Sequence, residues 1–213
     1  MGSGQAMLYE KRHYRKKLTT NGLIYLAGEE IEITLSNISI TGLLAELEAN
    51  EIFNDIEALF NTVSLSPIVD IYLQEMRLVG EVEIVRADLI EGRIYLAMDF
   101  KNIMHDVDNL VYERQAYRKN LAAPGLIILN GEHYHFSTVN VSVDGLMIRL
   151  AEQLAVEEGS IATFDFKRLD LVGEVKVIWV DHDETGTLMG LQYNYLEKTF
   201  VNGIPRFARQ QTS

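Results

Sequence analysis

The sequence predicts a mainly β protein built from two tandem copies of a small antiparallel barrel or sandwich. Three observations carry this: a long internal repeat, short stretches of apolar–polar alternation, and glycines that punctuate them. Sliding the 213-residue chain by 103 positions aligns Tyr9–Leu47 with Tyr112–Leu150 without a gap, and 17 of those 39 positions are identical. Identity this dense over one unbroken stretch marks a tandem duplication. Leu78-Val79-Gly80-Glu81-Val82 recurs as Leu171-Val172-Gly173-Glu174-Val175, now 93 residues further on, so the first copy carries ten extra residues (103 − 93) between Leu47 and Gly80. The copies are expected over residues 8–104 and 111–205, with the polar stretch Met104–Asn109 between them.

Within each copy the alternation is that of half-buried strands. Ile31, Ile33 and Leu35 alternate with polar neighbours, and His133–Val139 does so less cleanly. Val82 and Ile84 share one face of Gly80–Val85. Val175, Val177 and Trp179 are expected inward on the corresponding strand, with Glu174 and Lys176 outward. Gly28-Glu29 and Gly131-Glu132 sit between apolar runs and read as hairpin turns. Several short strands per hundred residues suit a small antiparallel barrel or sandwich. Two segments depart from this. Glu48–Asn61 spaces Ile52, Phe53, Ile56, Leu59 and Phe60 as on one helix face, so the extra residues are expected to form an amphipathic helix. It would cap a barrel or dock a partner. Leu196–Arg209 could begin a short C-terminal helix, but Gly203 and Pro205 interrupt it and its end is expected to be loose.

Composition removes several function classes. The chain has no cysteine, which excludes disulfides, thiolate metal sites and a cysteine nucleophile. No apolar run approaches the roughly 18 residues of a membrane span, and the first 30 residues show no secretory signal, so a cytoplasmic protein is expected. Nineteen Lys+Arg against 31 Asp+Glu leave a net charge of −12, which disfavours a nucleic-acid polymer as partner. Yet Lys11–Lys17 holds five fixed positive charges in seven residues, and Arg114, Arg118 and Lys119 form a second basic cluster. Local cations on an acidic protein suit a compact anionic ligand. A basic arm for nucleic acid or anionic membrane would explain only the first cluster. His133 and His135 alternate on one strand face without a third metal ligand nearby. No nucleophile elbow, phosphate-binding loop or zinc-protease signature is present, so neither catalysis nor a cofactor is expected.

The second copy concentrates the binding chemistry. Arg114 and Arg118, four residues apart, could converge on one ligand, each with a planar fork suited to phosphate or to the O6/N7 edge of guanine. Twenty-two residues after Arg118 comes Asn140-Val-Ser142-Val-Asp-Gly145. Asn140 offers a donor and an acceptor, Ser142 a hydroxyl, and Gly145 a place where a ligand can approach the backbone.

Arg114-x-x-x-Arg118, Asn140-x-Ser142-x-x-Gly145, Gly173-x-Val175-x-x-x-Trp179 and Gly190-Leu-Gln-Tyr193, in this order and spacing, resemble the PilZ domain family. The resemblance covers nearly all of the second copy. It implies a six-stranded antiparallel barrel and a receptor for cyclic di-GMP, with Arg114 and Arg118 clamping phosphate and guanine while Asn140, Ser142 and Gly145 complete the site. It also implies a downstream protein partner. The first copy departs from the pattern: Asn37-x-Ser39-x-x-Gly42 is intact, but Lys11 stands in the first arginine position before Arg15, Arg86 replaces the tryptophan and Ala97 the glycine. Lysine keeps the charge and loses the bidentate fork. A weaker site at Lys11, Arg15, Asn37, Ser39 and Gly42 is therefore expected. The rival reading is an interaction module that has kept the fold and lost the nucleotide.

Overall fold

The computed structural model describes residues 16–48, 56–105, 116–198 and 201–207. The chain divides into two compact units, Met1–His105 and Asp106–Ser213.

The first unit comprises β1 (Lys16–Leu26), β2 (Glu29–Ile38), β3 (Gly42–Leu47), α1 (Ile56–Leu65), β4 (Ile68–Leu73), β5 (Leu78–Ile90) and β6 (Arg93–His105). Its six strands close into an antiparallel barrel in the order β1-β2-β3-β6-β5-β4. The alternating residues Ile31, Ile33 and Leu35 point inward with Val82, Ile84, Leu96 and Met98, all buried in one core. The helix lies where the ten-residue excess predicts an insertion, and it continues past the expected Asn61 to Leu65. Ile52 and Phe53 lie outside the described residues. Leu59 is fully buried and Val63 packs on the core, whereas Phe60 is 51% exposed. The apolar face therefore continues from Leu59 to Val63, and Phe60 falls outside it.

The second unit comprises β7 (Lys119–Asn120), β8 (Pro124–Leu129), β9 (Glu132–Val141), β10 (Gly145–Leu150), β11 (Ile161–Phe166), β12 (Leu171–Asp183) and β13 (Gly186–Leu196). Pairings run from β8 through β9, β10, β13, β12 and β11 back to β8, the same ring as in the first unit, with β7 added beside β9. The pair β7 and β8 corresponds to the single strand β1. Thr138 explains the break: its hydroxyl accepts from the Ala123 amide at 3.0 Å and donates to the Leu121 carbonyl, holding the chain out of register between the two pieces. The equivalent Leu35 is buried in the first core, and there the strand runs on through a register shift.

The first hairpin of each barrel turns one residue earlier than expected, on Ala27-Gly28 and Asn130-Gly131. All four residues have φ between 53° and 90°, the geometry of a two-residue turn whose twist matches that of the strands. No helix follows β13 among the described residues. Residues 201–207 are irregular, as Gly203 and Pro205 require, yet they are not loose: Val201 and Ile204 join the second core and Phe207 is buried. No helix among the described residues is long and apolar enough to cross a membrane.

Candidate ligand-binding site

The turn between β9 and β10 is built by the Asn-x-Ser-x-x-Gly motif itself. Ser142 is buried, and its Oγ accepts from the amides of Asp144 and Gly145 (3.2 and 3.1 Å) and donates to the Gly145 carbonyl (3.1 Å). A side chain at Gly145 would place its Cβ 2.1 Å from the Leu191 carbonyl oxygen on β13. Glycine is thus demanded by the neighbouring strand, whatever a ligand requires. Asn140 is oriented differently. The β9–β10 register shifts beside it, pairing Asn140 with Met147 and Thr138 with Ile148, so Val139 is the extra residue of a β-bulge. The bulge turns Asn140 toward a cavity, where its amide has the Met147 sulfur at 3.5 Å.

A second bulge forms the opposite wall. Between Val177 and Trp179 the β12–β13 register shifts, leaving Ile178 unpaired and half-exposed. Trp179 consequently leaves the inward face expected from the alternation and lines the cavity. Its indole lies over Gly190, its cross-strand partner: a Cβ at residue 190 would come within 2.1 Å of the ring nitrogen. The resulting cavity, about 240 Å³, is lined by Arg118, Asn140, Asp144, Trp179, Gly190 and Gln192, along with the turn residues Ser142 and Gly145. It joins a guanidinium, an amide, a carboxylate and an aromatic face on one side of the barrel.

Arg118 is carried to this wall by the segment around it. Lys119 and Asn120 pair with Val141 and Asn140, so Arg118 stands one residue before the strand that flanks the motif. From the other side the Tyr117 amide donates to the Arg206 carbonyl at 3.1 Å, and the Tyr117 and Phe207 rings pack with centroids 5.4 Å apart. Arg206 also reaches Asp144 at 3.4 Å. The C-terminal segment, expected to be loose, is therefore a brace for the basic segment. Arg114, Lys11 and Arg15 lie outside the described residues.

The family comparison bears on this unit. Residues 112–209 match the PilZ domain family model. The PilZ match spans the second barrel together with its bracing C-terminal segment and does not extend to the first. Solved structures to which the chain is similar include the Borreliella burgdorferi PlzA protein in complex with c-di-GMP, at 10% identity and a TM-score of 0.30 over 84% of this chain and 81% of that one. The Bacillus subtilis inhibitor of motility MotI/DgrA is 13% identical, with a TM-score of 0.35 over 85% and 90% of the two chains. Escherichia coli YcgR in complex with c-di-GMP is 11% identical, with a TM-score of 0.31 over 81% and 75%. Likeness at this level carries no ligand across. No curated protein matches the sequence.

The first barrel holds a cavity of about 330 Å³ at the same place. Every residue lining the second cavity has its repeat equivalent there, apart from Arg118, whose equivalent Arg15 lies outside the described residues. Ser39 and Gly42 make the same turn: Ser39 Oγ donates to the Gly42 carbonyl at 3.1 Å, and a Cβ at residue 42 would meet the Met98 carbonyl at 2.1 Å. Asn37 again follows a bulge. The chemistry differs at Thr41, Arg86, Ala97 and Asp99, which stand where the second barrel has Asp144, Trp179, Gly190 and Gln192. Arg86 is also paired with Asp88 at 2.8 Å. Neither bulge was foreseeable from one strand's alternation, and only the Trp/Gly cross-strand pair left a trace, as two motif residues eleven apart. His133 and His135 are exposed on β9, and no cluster suited to a metal occurs among the described residues.

Proposed function

We propose that the second barrel is a non-enzymatic receptor for cyclic di-GMP. The observation that carries this reading is the convergence of Arg118, Asn140 and Trp179 on one cavity within the segment that matches the PilZ domain. In this reading Arg118 and Arg114 take the phosphates and the guanine edge, Asn140 hydrogen-bonds a base, and the Trp179 face bounds the site by stacking. Ser142 and Gly145 act through the turn they form. Binding would fix the segment bearing Arg114 over the cavity and change the arrangement of the two units, and a protein partner in the cytoplasm would read that change.

The first cavity would be the weaker site. Its turn is intact, but Arg86 offers no aromatic face and Lys11, in the first arginine position, offers no bidentate fork. Those two positions favour, for this barrel, the second reading of an adaptor that has kept the fold without the nucleotide.

Trp179 is the only tryptophan of the chain, so its fluorescence reports the proposed site directly. Titration with cyclic di-GMP should change that fluorescence saturably, while GTP and cyclic di-AMP should not. Arg118→Ala removes a charged contact worth about 1.5–3 kcal/mol, and affinity should fall by about one to two decades. Unchanged fluorescence, together with no heat in isothermal titration of the wild type, would overturn the receptor reading.

A further inference from the structure

The outer half of β5 is an open strand edge. On one side β5 pairs with β6 throughout, to the Ile90–Arg93 pair beside the Glu91-Gly92 turn. On the other side β4 pairs only with Leu78–Glu83, and the Ile84 amide donates to the Pro67 carbonyl at 2.8 Å. From Val85 onward no strand lies on that side among the described residues. The edge is apolar as well as open: Val85, Leu89 and Ile90 are 52–55% exposed. Ala87 packs on the barrel core and holds the strand in place.

Which main-chain groups face outward follows from the turn. Glu91 and Gly92 both have positive φ (51° and 78°), so Ile90 and Arg93 flank a two-residue hairpin loop and exchange both their hydrogen bonds. Antiparallel pairs alternate, which directs the N–H and C=O of Leu89 and Ala87 away from β6. An incoming antiparallel strand would therefore exchange both of its bonds at Ala87.

The sequence of this edge is complementary to itself. Residues 85–89 read Val-Arg-Ala-Asp-Leu. A second copy paired about Ala87 sets Ala87 opposite Ala87, Arg86 opposite Asp88 and Val85 opposite Leu89, each cross pair occurring twice. The existing Arg86–Asp88 ion pair would become a ring of four alternating charges. Pro67 ends the free edge just where this register ends. The equivalent edge of the second barrel, Ile178-Trp-Val-Asp-His-Asp183, lacks this symmetry, because Asp181 would face Trp179 and no cation is present.

We propose that the β5 edge is a self-association surface, on which two copies of this chain pair antiparallel through residues 85–89 about a two-fold axis at Ala87. Stable interfaces bury about 1,200–2,000 Å². Five residues a side supply only part of that, so the dimer forms at high protein concentration.

The test is sedimentation equilibrium of the full chain over a concentration series up to its solubility limit. Wild type should show a monomer–dimer equilibrium. Arg86→Asp and Asp88→Arg each set like charges opposite one another and should weaken it about tenfold or more. The double exchange, Arg86→Asp with Asp88→Arg, restores complementarity and should bring the dimer back to within about threefold of wild type. On the wild type alone, hydrogen exchange at the Ala87 and Leu89 amides should slow as concentration rises, a readout that does not depend on a variant folding. A chain monomeric at every concentration, a dimer indifferent to single charge reversal, or amides whose exchange ignores concentration would each overturn the proposal.

Discussion

The two barrels share a ring of six strands, two bulges and a cavity on the same wall, yet they present different chemistry to that cavity. In the second, an indole lies over a glycine; in the first, an arginine stands opposite an alanine and pairs with Asp88. The motif that looks most like a binding signature, Asn-x-Ser-x-x-Gly, is identical in both. Two of its three fixed residues are accounted for by the turn alone, since the serine bonds the turn amides and the glycine makes room for a carbonyl of the next strand. Among the described residues, the clearest difference between the two cavities is then one cross-strand pair, Trp179 with Gly190 against Arg86 with Ala97. An intact motif reports the barrel more than the ligand.

The largest effect should come from the shared glycine. Gly42→Ala and Gly145→Ala each drive a Cβ to 2.1 Å from a backbone carbonyl that cannot move without the strand. Either should destabilise its own barrel by about 3 kcal/mol, the upper end of ordinary overpacking. Chemical denaturation followed by circular dichroism should detect both, and Trp179 fluorescence should report Gly145→Ala alone. A harmless Gly42→Ala beside a damaging Gly145→Ala would show that the turns are not equivalent, and the comparison would fail at its root.

The next effect tests the cross-strand pair. Giving the second barrel the chemistry of the first, as Trp179→Arg with Gly190→Ala, removes an aromatic face worth about 1–3 kcal/mol to a stacked base. Cyclic di-GMP affinity should fall by about one to two decades in isothermal titration, with the fold unchanged. The reverse exchange, Arg86→Trp with Ala97→Gly and Asp99→Gln, should raise the stoichiometry of binding if Lys11 serves in place of Arg114 and Thr41 in place of Asp144. Full affinity in the first variant would mean that Trp179 borders the site without contributing to it.

The same contrast shows how far the sequence could be read. Duplication, strand alternation and the hairpin glycines are local or repeated signals: they limited each copy to a small antiparallel barrel or sandwich, the family resemblance chose the barrel, and the length excess placed the inserted helix. The displacement of Trp179 was not legible, because a bulge at Ile178 depends on the register of β13 against β12 and one strand's periodicity does not encode its partner's register. The brace formed by Arg206 and Phe207 was hidden for a related reason. Gly203 and Pro205 announce that no helix forms there, but the buried positions of Val201 and Ile204 come from packing against distant strands, and Phe207 packs on the distant Tyr117.

The smallest effect concerns how the two long hairpins are closed. In the first barrel, Glu91 and Gly92 make the turn by backbone conformation alone. In the second, Asp183 does it with its side chain: its carboxylate accepts from the Thr185 amide and hydroxyl at 2.8 and 2.6 Å and from Arg149 at 2.7 Å. The Thr185 hydroxyl, then Arg149, hold the Asp183 carboxyl at about 2, below its ordinary 3.8. A lowered carboxyl stabilises the fold above the unfolded-state value and loses that contribution as the pH falls through the folded one. The window therefore lies between about pH 4 and pH 2. Since the group is exposed, solvent screens the interaction and the contribution is small. Asp183→Asn should lower the melting temperature slightly at pH 6, read by Trp179 fluorescence, and the gap to wild type should close as the pH approaches 2. A gap that persists unchanged at pH 2 would assign the effect to the geometry of the Asp183–Thr185 turn, and the hairpins would then differ in shape rather than in charge.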